Sequence, residues 1–205
     1  MTDALLWIIV ALGLGCVVMR RRSVAVALVG AQALCVAALA VTLVPDRPAQ
    51  FLPAALTLVV RAVVIAVLLV IAIRRTRHSL PGGEEPHPIV RLMIACAIIV
   101  ASVALIPSFG LESQLAERGA VALVATGLAL LVTRRATVFQ VVALLVAENG
   151  IAVAAVNVRG GLPIVVELGV AFDLVLVVTV ATVFHDRIFD VFGTTDTRHL
   201  RGLRD

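Results

Sequence analysis

Among the polar side chains that interrupt long apolar segments of this 205-residue sequence, five have the most chemistry to offer: Glu148, Asn149, Glu167, Asp173 and Arg61. An acidic residue near the centre of a transmembrane helix costs about 2.5–3.5 kcal/mol on the insertion scale, which offsets the gain from roughly six or seven large aliphatic residues. A carboxyl group in a low-dielectric medium favours its neutral form and can therefore carry a proton. The cost of these acids indicates a function in moving charge.

Three of the ionisable groups have a similar predicted depth. With a helix rise of 1.5 Å per residue, Arg61 lies about 15 Å, Glu148 about 12 Å and Asp173 about 14 Å from the outer end of its segment. Glu167 lies only about 5 Å deep by the same measure, so it can reach the outer interface. We expect a relay for protons or cations near the middle of the membrane, in which Arg61 holds an acid ionised. A structural ion pair between helices is the alternative.

The elements that position these groups are apolar segments of transmembrane length. Hydrophobic residues make up 61% of the chain and charged residues 15%, and the mean hydropathy of +1.13 lies outside the range of soluble globular domains. We therefore predict an all-α, polytopic membrane protein with about seven transmembrane helices. The apolar segments cover residues 4–19, 23–44, 51–73, 89–106, 119–133, 136–156 and 164–184.

The first segment has a signal peptide as its alternative interpretation. Its basic residues follow the apolar stretch, and no Ala-x-Ala cleavage site comes after it. We therefore interpret it as a transmembrane helix.

The arginines predict the orientation. Every basic residue is an arginine, and thirteen of them fall in alternate connections on one side of the predicted helices, against three on the other side. Positive residues concentrate in cytoplasmic loops, so the N-terminus is predicted outside and the C-terminus in the cytoplasm. We divide the chain into a four-helix membrane region (1–118), a three-helix membrane region (119–184) and a cytoplasmic tail (185–205). The majority side holds Arg20, Arg21, Arg22, Arg74, Arg75, Arg77, Arg91, Arg134, Arg135, Arg187, Arg198, Arg201 and Arg204.

The predicted tail alternates apolar residues with charged ones. Arg187, Ile188, Phe189 and Phe192 are the candidates for lying on the membrane surface or docking a soluble partner. A frayed tail is the alternative.

Other kinds of site find no support in the sequence. The arginines lie at helix ends, without a basic patch interleaved with aromatic residues, so nucleic acid is not an expected partner. Cys16, Cys35 and Cys96 are isolated within apolar segments, which predicts small core residues rather than metal ligands. No nucleophile, base and orienting residue form a set, and the sequence predicts neither a cofactor nor a metal in this chain.

Four short segments and one acid can be compared with known membrane proteins: FQV at 139–141, AENGI at 147–151, LPIVVELG at 162–169, Asp173, and RIFD at 187–190. Together they resemble the component-E membrane subunit of formate-hydrogenlyase-type hydrogenases, which are group-four nickel-iron enzymes related to complex I. The last three predicted helices are also similar to the K-type subunit of complex I and the C subunit of Mrp sodium/proton antiporters.

The resemblance implies functional acids on the last two helices. Glu148 matches the first functional glutamate of the K-type subunit. The second match stays open, because the local sequence favours Glu167 whereas the distance from the basic end of the helix favours Asp173.

The resemblance further implies a subunit that carries no redox centre itself. Its expected surroundings are membrane lipid, antiporter-like and quinone-site-like membrane subunits, and a soluble hydrogenase-like module that holds the nickel-iron centre and iron-sulfur clusters. Two other functions remain open from the residues alone: an independent small cation transporter and a purely structural membrane scaffold.

Overall fold

The part of the chain that the structure describes is helical. A computed structural model describes residues 2–42, 56, 58–60, 63, 67, 86–108, 110–111 and 113–158. No strand occurs in these ranges, which confirms the predicted all-α class for them. Five helices have defined bounds: α1 (Thr2–Val18), α2 (Arg22–Thr42), α3 (Pro88–Leu105), α4 (Gln114–Thr133) and α5 (Thr137–Val156).

Length and composition make these helices suitable for a membrane. The helices α2 to α5 are each long and apolar enough to cross one, and α1 is a shorter apolar helix of 17 residues. The protein is therefore membrane-embedded. Four of the predicted segments agree with α1, α2, α3 and α5 within two residues at each end. Of the third predicted segment, positions 56, 58–60, 63 and 67 are described and helical, and the seventh lies outside the described residues.

The start of α4 lies five residues before the predicted apolar segment at 119–133, because side-chain capping extends the helix into polar sequence. Ser113 is the N-cap, and its hydroxyl oxygen accepts a hydrogen bond from the Ala116 N–H at 3.3 Å. A similar cap starts α3, where His87 Nδ1 accepts from the Ile89 N–H at 3.4 Å and Pro88, which has no N–H to satisfy, takes the first helical position.

Four of the five described helices form two antiparallel pairs. In the first pair, Gly15 of α1 lies against Leu28 of α2, and in the second, Gly127 of α4 lies against Ala147 of α5. The helix α1 also packs on α4, α2 packs on α5, and α3 packs on α4 and α1. The core between the helices is aliphatic, and its fully buried side chains include Ile9, Val17, Val29, Val36, Leu39, Leu123, Leu130 and Val142.

One end of the bundle is defined by arginines that are buried, although the sequence suggested only loop positions for them. Arg91 and Arg134 are each 1% exposed. Arg91 Nη2 donates to the carbonyl oxygen of Val18 at 3.4 Å, and Arg134 Nη2 donates to that of Met19. Both guanidinium groups thus satisfy carbonyls at the C-terminus of α1, where the helix dipole favours positive charge. We call this end the arginine end.

The cysteines only partly follow the expectation of core positions. Cys16 is buried and its thiol donates to the Ala25 carbonyl oxygen at 3.6 Å, and Cys35 is partly buried. Cys96 is exposed on α3, so the core prediction is wrong for that residue. The apolar context that suggested a core position also suits a side chain that faces lipid.

Candidate functional site

The predicted acid Glu148 and its neighbour Asn149 lie inside the bundle, on α5. Glu148 is 7% exposed and Asn149 is 4% exposed, and both carboxylate oxygens of Glu148 are inaccessible to solvent. Asn149 is 7 residues from the end of α5 at Val156, or about 10 Å along the helix axis. The structure therefore places one ionisable group and one amide deep within a segment that is otherwise apolar.

A buried hydrogen-bonded network joins three helices at this level. Asn149 Nδ2 of α5 donates to Gln32 Oε1 of α2 at 2.9 Å, and Gln32 Nε2 donates to the carbonyl oxygen of Ile9 in α1, also at 2.9 Å. Gln32 and Ile9 are both fully buried. Gln32 lies 10 residues from either end of α2, so it is about 15 Å from each end of that helix. The network is thus central in the bundle.

A glycine on α1 makes room for the Gln32 amide. A Cβ atom at Gly13 would lie 2.9 Å from Gln32 Nε2 and 3.0 Å from Leu123 Cδ2. The missing side chain lets the amide approach the backbone of α1 closely enough to reach the Ile9 carbonyl, which also lies within a helix. The Gln32 amide therefore occupies the space that a side chain at position 13 would need.

The helices α4 and α5 approach one another closely through small residues. A Cβ atom at Gly127 would lie 2.6 Å from the Ala143 carbonyl oxygen and 2.7 Å from Ala147 Cβ. On the opposite helix, a Cβ atom at Gly150 would lie 2.8 Å from Leu123 Cβ. Small residues permit such close packing of membrane helices, where apolar side chains gain little over contact with lipid. Three members of the small-residue stripe Ala143, Ala147, Gly150 and Ala154 thus lie against α4.

Consecutive residues of α5 have different neighbours, and this sets the direction of Glu148. Gly150 lies against α4 and Asn149 bonds to α2. Each residue turns an α-helix by about 100°, so Glu148 is about 200° around the axis from Gly150 and projects away from α4. Glu148 therefore lies next to Asn149 along α5 but on a different side of the helix from the face that meets α4.

The chemistry of this arrangement is limited to a few groups. The amides of Asn149 and Gln32 do not titrate, and each offers both donors and an acceptor, which suits them to orient neighbours rather than to carry a proton. Glu148 is the residue of the three that can exchange a proton. The described site is thus one buried carboxyl group on the residue that precedes Asn149, which belongs to a neutral hydrogen-bonded network.

Most of the other residues selected from the sequence fall outside the described ranges. The ion-transfer candidates Asp173, Glu167 and Arg61 do so, and the proposed cluster of Glu148 with two of them stays a prediction. The docking candidates Arg187, Ile188, Phe189 and Phe192 also lie outside the described residues.

Sequence reasoning missed Gln32, although the signal was present. Gln32 is a single amide in the middle of the apolar segment 23–44. Burying such a group costs free energy unless it is hydrogen-bonded, and the same kind of cost pointed to Glu148. The partner of Gln32, Asn149, is distant by 117 positions along the chain, so no local pattern connects the two residues.

A second buried acid lies at the end of the bundle opposite the arginine end. Glu117, in the first turn of α4, is 8% exposed, and its Oε2 accepts from the Ser108 hydroxyl at 3.1 Å and from the Leu111 N–H at 3.4 Å. These bonds tie the connection after α3 to the start of α4. A small pocket of about 130 Å³ opens beside Glu117, with Arg118 and Gln114 among its polar lining residues. The contacts of Glu117 indicate a structural role.

Comparison with known proteins finds a relative in a mycobacterium. No protein-family profile matches the chain, and no solved structure matches it. The chain is 32% identical over 156 residues to a protein of Mycobacterium tuberculosis (strain ATCC 25618 / H37Rv) named "Uncharacterized protein Rv0085". The match covers 72% of this chain and 70% of the mycobacterial protein.

Proposed function

The chain belongs to the same family as this mycobacterial protein, and within that family we propose that it is an integral membrane subunit of a hydrogenase-like or complex-I-like respiratory assembly. In this role it contributes Glu148 to the translocation of protons or sodium ions and helps to hold neighbouring membrane subunits together. The redox centres, a nickel-iron site and iron-sulfur clusters, belong to its partners. The membrane is the cytoplasmic membrane, with the N-terminus outside and the C-terminus inside.

The observation that carries the proposal is the burial of Glu148. Its carboxylate oxygens are inaccessible within a bundle of apolar helices, at a depth where an acid costs about 2.5–3.5 kcal/mol. An alanine or leucine at this position would make the helix easier to insert. Acids within membrane segments mark proton relays and ion pathways in pumps and transporters. The cost therefore supports a relay role.

The subunit part of the proposal has separate support. The segments around Glu148, at 162–169 and at 187–190 resemble component E of formate-hydrogenlyase-type hydrogenases. The described helices also leave large apolar side chains on the outside of the bundle, among them Met93, Val100 and Leu105 of α3. Such surfaces suit contact with lipid and with neighbouring membrane subunits.

The first experiment asks which assembly contains the chain. Membranes are solubilised in a mild detergent, the tagged chain is purified, and the co-purifying proteins are identified by mass spectrometry. We expect a nickel-iron or complex-I-like large subunit and an antiporter-like membrane subunit. A chain that purifies by itself and transports cations in liposomes would contradict the proposal and identify an independent transporter.

The second experiment tests the relay role of Glu148 in the intact assembly. Inverted membrane vesicles are energised with hydrogen or NADH, and the protons or sodium ions moved per electron are measured with a pH-sensitive dye and with radioactive sodium. The Glu148→Gln variant keeps the size of the side chain but cannot ionise, so proton transfer at this position should slow by about 10²–10⁴-fold. We therefore expect the ion-to-electron ratio to fall while electron transfer in the partner subunits continues.

A matched control separates this effect from the loss of one negative charge. Asp3 is an exposed acid in the first turn of α1, far from the buried site, and Asp3→Asn removes the same charge. We expect a wild-type ratio for this variant. An unchanged ratio in the Glu148→Gln variant, with normal amounts of assembled complex, would refute the relay role.

A further inference from the structure

The contact between Gln32 and Asn149 links the N-terminal helix pair to the segment that carries the proposed relay acid. Two bonds of 2.9 Å connect α5 to α2 and α2 to the backbone of α1. All three residues involved are at least nine-tenths buried. The polar centre of the bundle is therefore built from the first and the last described helix pairs together.

The placement of this contact constrains the rotation of α5. Asn149 is held toward α2 by a hydrogen bond, and Gly150 is held against α4 by contacts that leave no room for a Cβ atom. Two consecutive residues, about 100° apart around the axis, are thus attached to two different helices. A helix attached in two directions cannot turn about its axis without breaking one attachment, so the direction of Glu148 is determined as well.

Gln32 itself is held in place from the other side. Its Nε2 group donates to the Ile9 carbonyl oxygen, and the absence of a side chain at Gly13 gives the amide access to the α1 backbone. A buried amide with both ends bonded has a fixed orientation, because releasing either bond would leave a polar group unsatisfied in an apolar interior.

We propose that Gln32 is a positioning residue for ion transfer, which holds Asn149 and so sets the direction in which α5 presents the Glu148 carboxyl group. Gln32 does not carry the ion. It acts through the orientation of α5, and Gly13 makes its position possible. This inference rests on the proposed relay function of Glu148.

The test uses two substitutions of Gln32 in the intact assembly. Gln32→Leu is similar in size and cannot bond to Asn149, and Gln32→Asn keeps the amide but is one methylene shorter, which removes its reach to both partners. The ratio of ions moved per electron is measured in energised inverted vesicles across a range of pH. We expect both variants to lower the ratio at least threefold and to shift its pH profile, since a misdirected carboxyl group meets a different environment.

Two further variants test whether the effect is specific to Gln32 and whether it depends on Glu148. Leu34→Ala changes an exposed side chain of α2 and should keep the wild-type ratio and pH profile. The double variant Gln32→Leu with Glu148→Gln should be no worse than Glu148→Gln alone, because a positioning residue has no effect once the group that it positions is lost.

The outcomes distinguish this inference from the function on which it rests. If Glu148→Gln keeps the wild-type ratio, the proposed relay function fails. If Glu148→Gln is impaired while either Gln32 variant has a wild-type ratio and pH profile, the relay stands and the positioning role is overturned. A double variant with a further loss beyond Glu148→Gln would also overturn it, because Gln32 would then act independently of Glu148.

Discussion

Among the described glycines, Gly127 has the least space for a side chain, so it gives the sharpest test of the packing. Gly127→Ala places a Cβ atom 2.6 Å from the Ala143 carbonyl oxygen and 2.7 Å from Ala147 Cβ. The first distance is 0.8 Å short of the 3.4 Å at which ordinary van der Waals contact begins. One neighbouring atom is a backbone oxygen of α5 and the other is a Cβ atom of the same helix, so no side-chain rotation relieves the overlap. The helices α4 and α5 must separate.

Two opposing energies determine the size of the effect. Overpacking a tight interface costs about 1–3 kcal/mol, whereas alanine is a better helix former than glycine by roughly 0.5–1 kcal/mol. The steric term is the larger, and we expect the free energy of unfolding to fall by about 1–2 kcal/mol. For a chain of this size that corresponds to a melting temperature lower by roughly 2–8 °C.

The assay is thermal unfolding of the purified protein in detergent, followed by far-UV circular dichroism. Gly150→Ala serves as a second case, because its Cβ atom would lie 2.8 Å from Leu123 Cβ and 2.9 Å from the Ala120 carbonyl oxygen. Gly30→Ala is the control: Gly30 is also in a helix, but a Cβ atom there meets nothing within 4 Å. It should melt no lower than the wild type. If Gly127→Ala has the same melting temperature as Gly30→Ala, the close contact between α4 and α5 is refuted.

Two further predictions concern the ends of the bundle. Arg135 and Ser108 are exposed at opposite ends, and each is replaced by cysteine in a chain whose three native cysteines are changed to alanine. In intact cells a membrane-impermeant maleimide should label only the Ser108 position, and the reverse pattern would contradict the predicted orientation. Arg134→Gln removes the bond to the Met19 carbonyl oxygen and the stacking of the guanidinium group 3.8 Å from the Phe139 ring centroid. Arg134→Gln should lower the free energy of unfolding by about 2–3 kcal/mol. The control is the neighbouring exposed Arg135→Gln, which should change it by less than about 0.5 kcal/mol. Equal effects of the two variants in a thermal melt would contradict the stabilising contacts of Arg134.

The buried arginines refine the interpretation of the charge pattern. Loop arginines ordinarily interact with water and lipid headgroups, and the count of arginines alone predicts only which side of the membrane they occupy. Arg91 and Arg134 instead bond to carbonyl oxygens at the C-terminus of α1. They therefore stabilise the junction of α1, α3 and α4, in addition to any contribution to orientation.

The class and the boundaries of the described helices follow from the sequence because they depend on local properties. Apolar length predicts where a membrane helix lies, and four of the segments agree with helices within two residues at each end. The start of α4 is the exception, because the Ser113 cap and the polar residues behind it extend a helix beyond its apolar part. The burial of Glu148 was also predictable, since a carboxyl group in the middle of such a helix has few alternatives to the bundle interior.

The sequence by itself determined that this protein is built from membrane helices and that Glu148 is the acid to test. Tertiary structure alone decided which residues surround the centre of the bundle. Gln32 and Asn149 bond across 117 positions of chain, and Gly13 provides the space for that bond. Such contacts depend on how helices dock and rotate against one another, and that is set by the shapes of several distant segments at once rather than by any local pattern.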